Sequence, residues 1–432
     1  MSERTLFRGA RVVDPASGGN GVADVLVQDG AIAAVGEEAP SKGATVFGCE
    51  GLILAPGLVD LHAHLREPGR EDKETVETGS RAAAVGGYTA LAAMANTDPV
   101  ADNIAVIEEV RSLAARAGLC DVLSVGAITK DLAGEEMAEL GEMAHAGVRV
   151  FSDDGRCVST SRVLRNALRY AGAFDVVIAE HCEDASLAEG AQMHEGLHSH
   201  TLGLAGAPSE AEEIIVSRDL SLARETGGRL HLCHLSAARS VELVRRAKVA
   251  GVGVTAEVTP HHLVFTDEDL VTYDTNYKVN PPLRTPQDRE ALRAAVADGT
   301  IDAIATDHAP HAVEEKEAEF DQSPPGTIGL ETALAAVLTH LVEPGILSLP
   351  RAIEAMSTAP ARILGAPGQG GPIEPGRPAN LAVFDPAAAW VVEPPFASKS
   401  RNSAFLGMAL RGKVIHTMYR GDLVVADGKA QR

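Results

Sequence analysis

Two histidines one residue apart, His62 and His64, close an apolar run in the stretch GLVDLHAHLREPG, and Arg66 follows at the same spacing. Residues i and i+2 of an extended strand face the same side. The two imidazoles can therefore aim at one ion, and imidazole nitrogen binds zinc at about 2.0–2.1 Å. A lone strand-end histidine is more often a hydrogen-bonded structural group, and a short HxH motif recurs by chance. This pair does not stand alone. Asn96, the pair Asp153 and Asp154, His181, His234, and Asp307 with His308 each follow or end another apolar run. Four histidines and two aspartates so placed, all at strand carboxyl ends, point to a metal site.

The elements that must position these groups can be read from the alternation of the chain. Eight candidate buried strands are Leu52–Leu61, Tyr88–Met94, Val122–Ile128, Val148–Ser152, Val176–Ala179, Leu230–Leu235, Val252–Val258 and Ile301–Thr306. Helix-like segments lie between them, among them Glu74–Val85, Ile104–Ala117, Ser209–Glu225, Ser240–Val249 and Pro286–Ala297. Continuous apolar strands alternating with helices predict a parallel sheet covered by helices. Eight such units fit an α/β fold of the (β/α)8 TIM barrel type, whose strand carboxyl ends converge on one mouth. A doubly wound sheet would need a glycine-rich phosphate loop after its first strand, and VDLHAHLREPG is no such loop. The β-rich ends, with the punctuation LGAPGQGGPIEPGRPAN before the second, predict that residues 1–54 and 366–432 form a small composite β-sandwich. It would stand beside a barrel of residues 55–365.

Strand alternation also sorts the candidates. In VRVFSDD, Asp154 shares a face with Val148 and Val150, whereas Asp153 shares one with Arg149, which does not belong in a packed barrel interior. The same count puts His181 with Val177 and Ala179, and Asp307 with Ala303 and Ala305; it turns Cys182 and Cys233 away from the site. No lysine lies between Lys130 and Lys248, so strands four and five cannot supply a carbamylated lysine between two ions. Lys130 reads as a surface or structural lysine, which leaves Asp154 as the carboxylate that bridges or caps. His145, His194, His198, His200, His340 and His416 read as structural.

Bulk properties narrow the class. A formal charge of −22 argues against nucleic acid, which needs clustered Lys and Arg. Five scattered cysteines without a CxxC pair read as free thiols of a reducing compartment. No apolar run reaches the roughly 20 residues that span a membrane, and MSERTLFRGARVVD lacks a segment of signal-peptide length. The expectation is a cytoplasmic protein acting on a small molecule, with no nucleic-acid or membrane partner.

Taken together, DLHAHLREPG, NTDPV, FSDDG, AEHCED, CHLS, TPHHL, KVNPPLR and TDHAPH resemble the dihydroorotases of type I, within the amidohydrolase superfamily. The likeness runs from about residue 50 to about residue 360, and members of that type use aspartate where most relatives carry the carbamylated lysine. The resemblance implies zinc, one or two ions, on His62, His64, Asp154, His181, His234 and Asp307, with Asp307 also the proton shuttle. It implies substrate contacts from Arg66, Asn96, Asn280 and His311, helped by backbone near Pro325 and Gly326. The implied reaction is the reversible cyclisation of N-carbamoyl-L-aspartate to L-dihydroorotate, with a zinc-held hydroxide as the nucleophile of the reverse direction. Arg66 would hold the substrate carboxylate bidentately. A homodimer and a complex with aspartate carbamoyltransferase are the partner arrangements that come with it.

Three other readings compete. A dihydropyrimidinase, hydantoinase or allantoinase shares barrel and HxH, but normally uses the lysine bridge, and the first two have no need of Arg66. A non-catalytic scaffold of aspartate carbamoyltransferase would have no need of an intact ligand set. A structural zinc site is usually closed and cysteine-rich, and no cysteine cluster is present. The loop HAPHAVEEKEAEFDQSPPGTIG is long and charged, suited either to a lid or to a plain solvated connection.

Overall fold

The apolar run Leu52–Leu61 does not form one strand. In the computed structural model, which describes residues 4–36 and 39–432, Gly57 cuts it into Ile53–Pro56 and a second strand, β1 (Leu58–Ala63). A Cβ at Gly57 would lie 2.1 Å from Thr89 Oγ1, so only glycine lets the chain pass from one sheet to the other here. Residues 1–3 and 37–38, which fall inside the expected terminal module, lie outside the described residues.

Seven further strands follow in the barrel: β2 (Tyr88–Ala93), β3 (Asp121–Ser124), β4 (Val150–Ser152), β5 (Val177–Glu180), β6 (Arg229–Leu232), β7 (Val254–Val258) and β8 (Ala303–Ile304). They pair in parallel as β1-β2-β3 and β4-β5-β6-β7-β8. Parallel bridges Gly126–Phe151 and Ala63–His308 join the two sets into a closed ring. Helices Val76–Val85, Ile104–Ala117, Ser161–Ala171, Glu210–Thr226, Ala238–Val249 and Pro286–Asp298 cover the outside. Their ends carry local signals. The Thr75, Asn103 and Thr285 side chains accept first-turn N–H groups, and Gly118, Gly227 and Gly299 close three helices in the left-handed conformation.

Two layers of core result. Inside the ring lie small and branched side chains, including Val59, Ala90, Ala92, Val150, Val177, Ala179, Ala303 and Ala305. Between ring and helices lie larger ones such as Leu91, Phe151, Leu164, Leu168, Ile178, Leu230 and Leu232, each contributing about 1.5–3 kcal/mol when fully buried. Most polar side chains of the site stand at the strand carboxyl ends, while Glu257 and His231 are buried within the ring itself.

The chain termini build one nine-stranded sheet. Ile53–Pro56 lies between Arg4–Asp14 and Leu381–Val391, so N-terminal and C-terminal strands share one ladder. Their inner faces enclose Phe7, Val25, Ile32, Leu54, Leu381, Val383 and Met418. The fold is thus a (β/α)8 barrel with a β-sandwich from the terminal segments. No helix among the described residues is long and apolar enough to cross a membrane.

Candidate metal centre

The barrel mouth is made of strand ends that leave regular geometry where a polar residue is needed. Arg66, His234 and Asp307 have φ of 63°, 31° and 46°, a left-handed backbone that costs such residues about 1–2 kcal/mol each. At β6 this overturns the expectation for Cys233. Leu230 and Leu232 face the helices, and Cys233 faces the interior. Plain alternation would then send His234 outward, but its positive φ turns it back. Cys233 and His234 therefore both point inward, and Cys233 Sγ lies within 4.8 Å of ligand atoms of His62 and Asp154. Cys182 does turn away, its Sγ 3.9 Å from Asp219 Oδ2. On β1, Val59 and Leu61 line the interior and so do His62 and His64, because the register against β2 slips between Asp60 and Ala63.

The structure brings His62, His64, Asp154, His181, His234 and Asp307 together, all buried. Asp154 sits among the imidazoles. Its Oδ2 is 3.3 Å from His62 Nε2 and 3.4 Å from His64 Nε2; its Oδ1 is 3.3 Å from His234 Nε2 and 3.7 Å from His181 Nδ1. Asp307 Oδ1 lies 3.2 Å from His64 Nε2 and 3.6 Å from His62 Nε2. Its neighbour in sequence to Asp154, Asp153, instead accepts the backbone N–H groups of Ile128 and Thr129 at 2.8 and 2.9 Å. Lys130 pairs with Glu136, and its side chain is 43% exposed, away from this cluster.

The residues present fit a cation. His62 Nε2 is buried without a hydrogen-bond partner. His181 Nδ1 and His234 Nε2 face each other at 3.1 Å. Burial opposes charge on Asp154, yet His62, His181 and His234 hold its carboxyl far below the usual range. Burial likewise opposes ionisation of Asp307, but His62 and His64 keep it lowered. In the other direction Asp154 and Asp307 raise His62 well above the ordinary imidazole range against its burial. Converging nitrogens and two ionised carboxylates are the donor set of a zinc-like ion.

Behind the cluster stand groups that the sequence reading missed. Glu257 of β7 lies 2.8 Å from His62 Nδ1, and its acidity in mid-strand was the available signal. Asn402, remote in sequence, receives the His311 N–H on its Oδ1 and donates to the Ala309 and Gly326 carbonyls. Lys316 is buried inside the loop after β8 and donates to the Pro324 and Gly326 carbonyls.

The expected substrate contacts surround the cluster. Asn96 Oδ1 is 2.9 Å from His64 Nδ1, and Asn280 Nδ2 is 3.4 Å from His181 Nε2. Arg66 donates from Nε to the Pro310 carbonyl, and loss of solvent pushes its guanidinium down to about 10 despite Asp307 and Asp154. His311 Nε2 lies 2.9 Å from the Pro325 carbonyl, and burial beside Arg66 pushes the imidazole down to about 3. Gly326 has φ 143°, and a Cβ there would lie 2.8 Å from His311 Nε2. A cavity of about 290 Å³ is lined by Glu183, Lys278, Asn280 and Pro325, and Glu183 and Asn280 connect it to His181.

A family profile described as Dihydro-orotase-like matches residues 51–240. The chain is 52% identical over 429 residues to a dihydroorotase of Streptomyces coelicolor, covering 99% of each. It is 51% identical to one of Mycobacterium tuberculosis, covering 98% of this chain and 99% of the other. Among solved structures, an L-hydantoinase (dihydropyrimidinase) from Arthrobacter aurescens superposes with a TM-score of 0.89 at 28% identity, covering 100% of this chain and 98% of that one.

Proposed function

Because the chain belongs to the dihydroorotase family, we propose that His62, His64, Asp154, His181, His234 and Asp307 hold zinc, as one or two ions. The activity is the reversible closure of N-carbamoyl-L-aspartate to L-dihydroorotate with loss of water, the third step of pyrimidine biosynthesis. Zinc bound there would polarise the reacting carbonyl and lower the pKa of water to about 7. The observation that carries the reading is Asp154, whose two oxygens are divided between two pairs of imidazoles.

The other steps belong to the chain. Asp307, held ionised, takes a proton from the attacking water in ring opening and returns it to the departing ring nitrogen. Ring closure runs the same transfers backward. Arg66 remains a cation at neutral pH and takes the carboxylate beside the reacting nitrogen with a two-point hydrogen bond. Asn96 spends its oxygen on His64 and keeps its amide N–H groups for that carboxylate, while Asn280 serves from beside His181. His311 and Pro325 are paired with each other, so the substrate engages both by inserting between them. Its carboxylate takes the imidazole N–H, and one of its own N–H groups takes the carbonyl. Gly326 contributes room, since its N–H and carbonyl are already paired with Lys278, Lys316 and Asn402.

A cytoplasmic location is part of the proposal, and the five free cysteines support it. So are a homodimer and a complex with aspartate carbamoyltransferase, supported by the family resemblance. Light scattering, alone and with the transcarbamoylase, tests both. A substrate panel tests the activity: ultraviolet absorbance should report ring opening of L-dihydroorotate and no consumption of dihydrouracil or hydantoin. The opposite preference would assign the barrel to the hydantoinase side of its structural relatives.

A further inference from the structure

The imidazole of His62 is fixed from below by two buried polar groups, Glu257 and His231, and beyond them the half-buried Thr255. Glu257 Oε1 lies 2.8 Å from His62 Nδ1, and its Oε2 lies 3.1 Å from His231 Nε2. His231 Nδ1 in turn lies 2.8 Å from Thr255 Oγ1. His62, Glu257 and His231 are at most 3% exposed. A carboxylate that meets two imidazoles accepts from both, so His62 carries its proton on Nδ1. That leaves Nε2, buried without a hydrogen-bond partner, as the nitrogen that faces Asp154 and Asp307 and would take the cation.

We propose that Glu257 is a positioning residue of the metal centre: it fixes His62 in the Nδ1–H form, holds the ring plane, and raises the donor strength of Nε2. The inference rests on the metal reading above. His64, at the other end of the HxH pair, leans on the neutral amide of Asn96 instead. The two histidines are therefore unequal donors, with His62 the stronger. Although ligand atoms of His231, Cys233 and Glu257 lie within 4.8 Å of one another, both Glu257 oxygens are committed to imidazole N–H groups, and this triad serves the site above it.

The test is zinc affinity of the full-length, zinc-loaded protein, by competition with a colorimetric chelator, for wild type, E257Q and E257A. Glutamine can keep one acceptor on His62 but loses the charge and puts an NH2 group opposite His231; alanine loses every contact. Partners of this kind are worth about 10–100-fold in metal affinity, so E257Q should fall near the lower figure and E257A near the upper. Excess zinc should restore turnover by E257Q with KM unchanged, which a general packing defect would not allow. T255V, which loosens only the far end, gives a smaller loss in the same direction and serves if E257A does not fold. Wild-type affinity in both Glu257 variants overturns the role of Glu257 alone. A wild type that retains no zinc overturns the metal reading together with it.

Discussion

Oδ2 of Asp154 lies 3.3 Å from Nε2 of His62, while its other oxygen is left for the far half of the cluster. Under the proposed function a carboxylate so divided would serve as the anionic ligand of the centre, which a neutral amide could not. Asp154→Asn keeps the shape and removes the charge. It should lose bound zinc and cut kcat/KM by about a thousandfold, given that a bound ion supplies several kcal/mol of transition-state stabilisation. Full zinc content with full activity in D154N would refute the proposed ligand role.

Arg66→Ala should act on binding. A hydrogen-bonded ion pair to carboxylate is worth about 1.5–3 kcal/mol, so KM should rise about 10–100-fold with zinc content unchanged. Arg66→Lys should fall between, because a point charge lacks the planar fork. An unchanged KM in R66A would place the carboxylate elsewhere.

Stability should fall on mild acidification. His262 stands between the Thr259 hydroxyl and the Pro281 carbonyl, and burial holds it well below the ordinary range. Burial likewise pushes His261 down to about 4. The unfolded chain takes these protons first, near an ordinary pKa of about 6.5. Their contribution is therefore complete above that pH and is lost progressively as pH falls toward the folded-state values, at up to about 1.4 kcal/mol per unit for each group. Urea midpoints between about pH 7 and pH 5 should show this slope, and His262→Gln should be less stable at neutral pH with a shallower slope by one proton. An unchanged slope in H262Q would mean that His262 titrates normally.

Gly57→Ala should destabilise the junction of barrel and terminal sheet. The new Cβ would meet Thr89 Oγ1 and Cγ2 at 2.1 and 2.4 Å, an overpacking worth about 1–3 kcal/mol. Thr89→Ala should recover part of the loss in the double variant, read as a coupling energy in chemical denaturation. Strictly additive losses would place the constraint elsewhere.

Much of this was legible in the residues. The eight apolar runs correspond to β1 through β8, and parity along VRVFSDD separated Asp154 from Asp153, because β4 stays regular to its end. Parity failed at Cys233, since it assumes an extended backbone and His234 has φ 31°. It also could not divide Leu52–Leu61, whose break depends on Thr89 across the junction. Glu257 was visible as an acid in an apolar strand, but its importance lies in touching His62 across the barrel. Asn402 was out of reach for the same reason: a tertiary contact leaves no periodicity.

The most direct measurement is the rate of L-dihydroorotate ring opening by chelator-stripped protein as zinc is added back. The account predicts no turnover without metal and recovery that saturates at one or two zinc ions per chain, with the same stoichiometry lost in D154N. Undiminished turnover by fully stripped protein would contradict a metal centre at the barrel mouth.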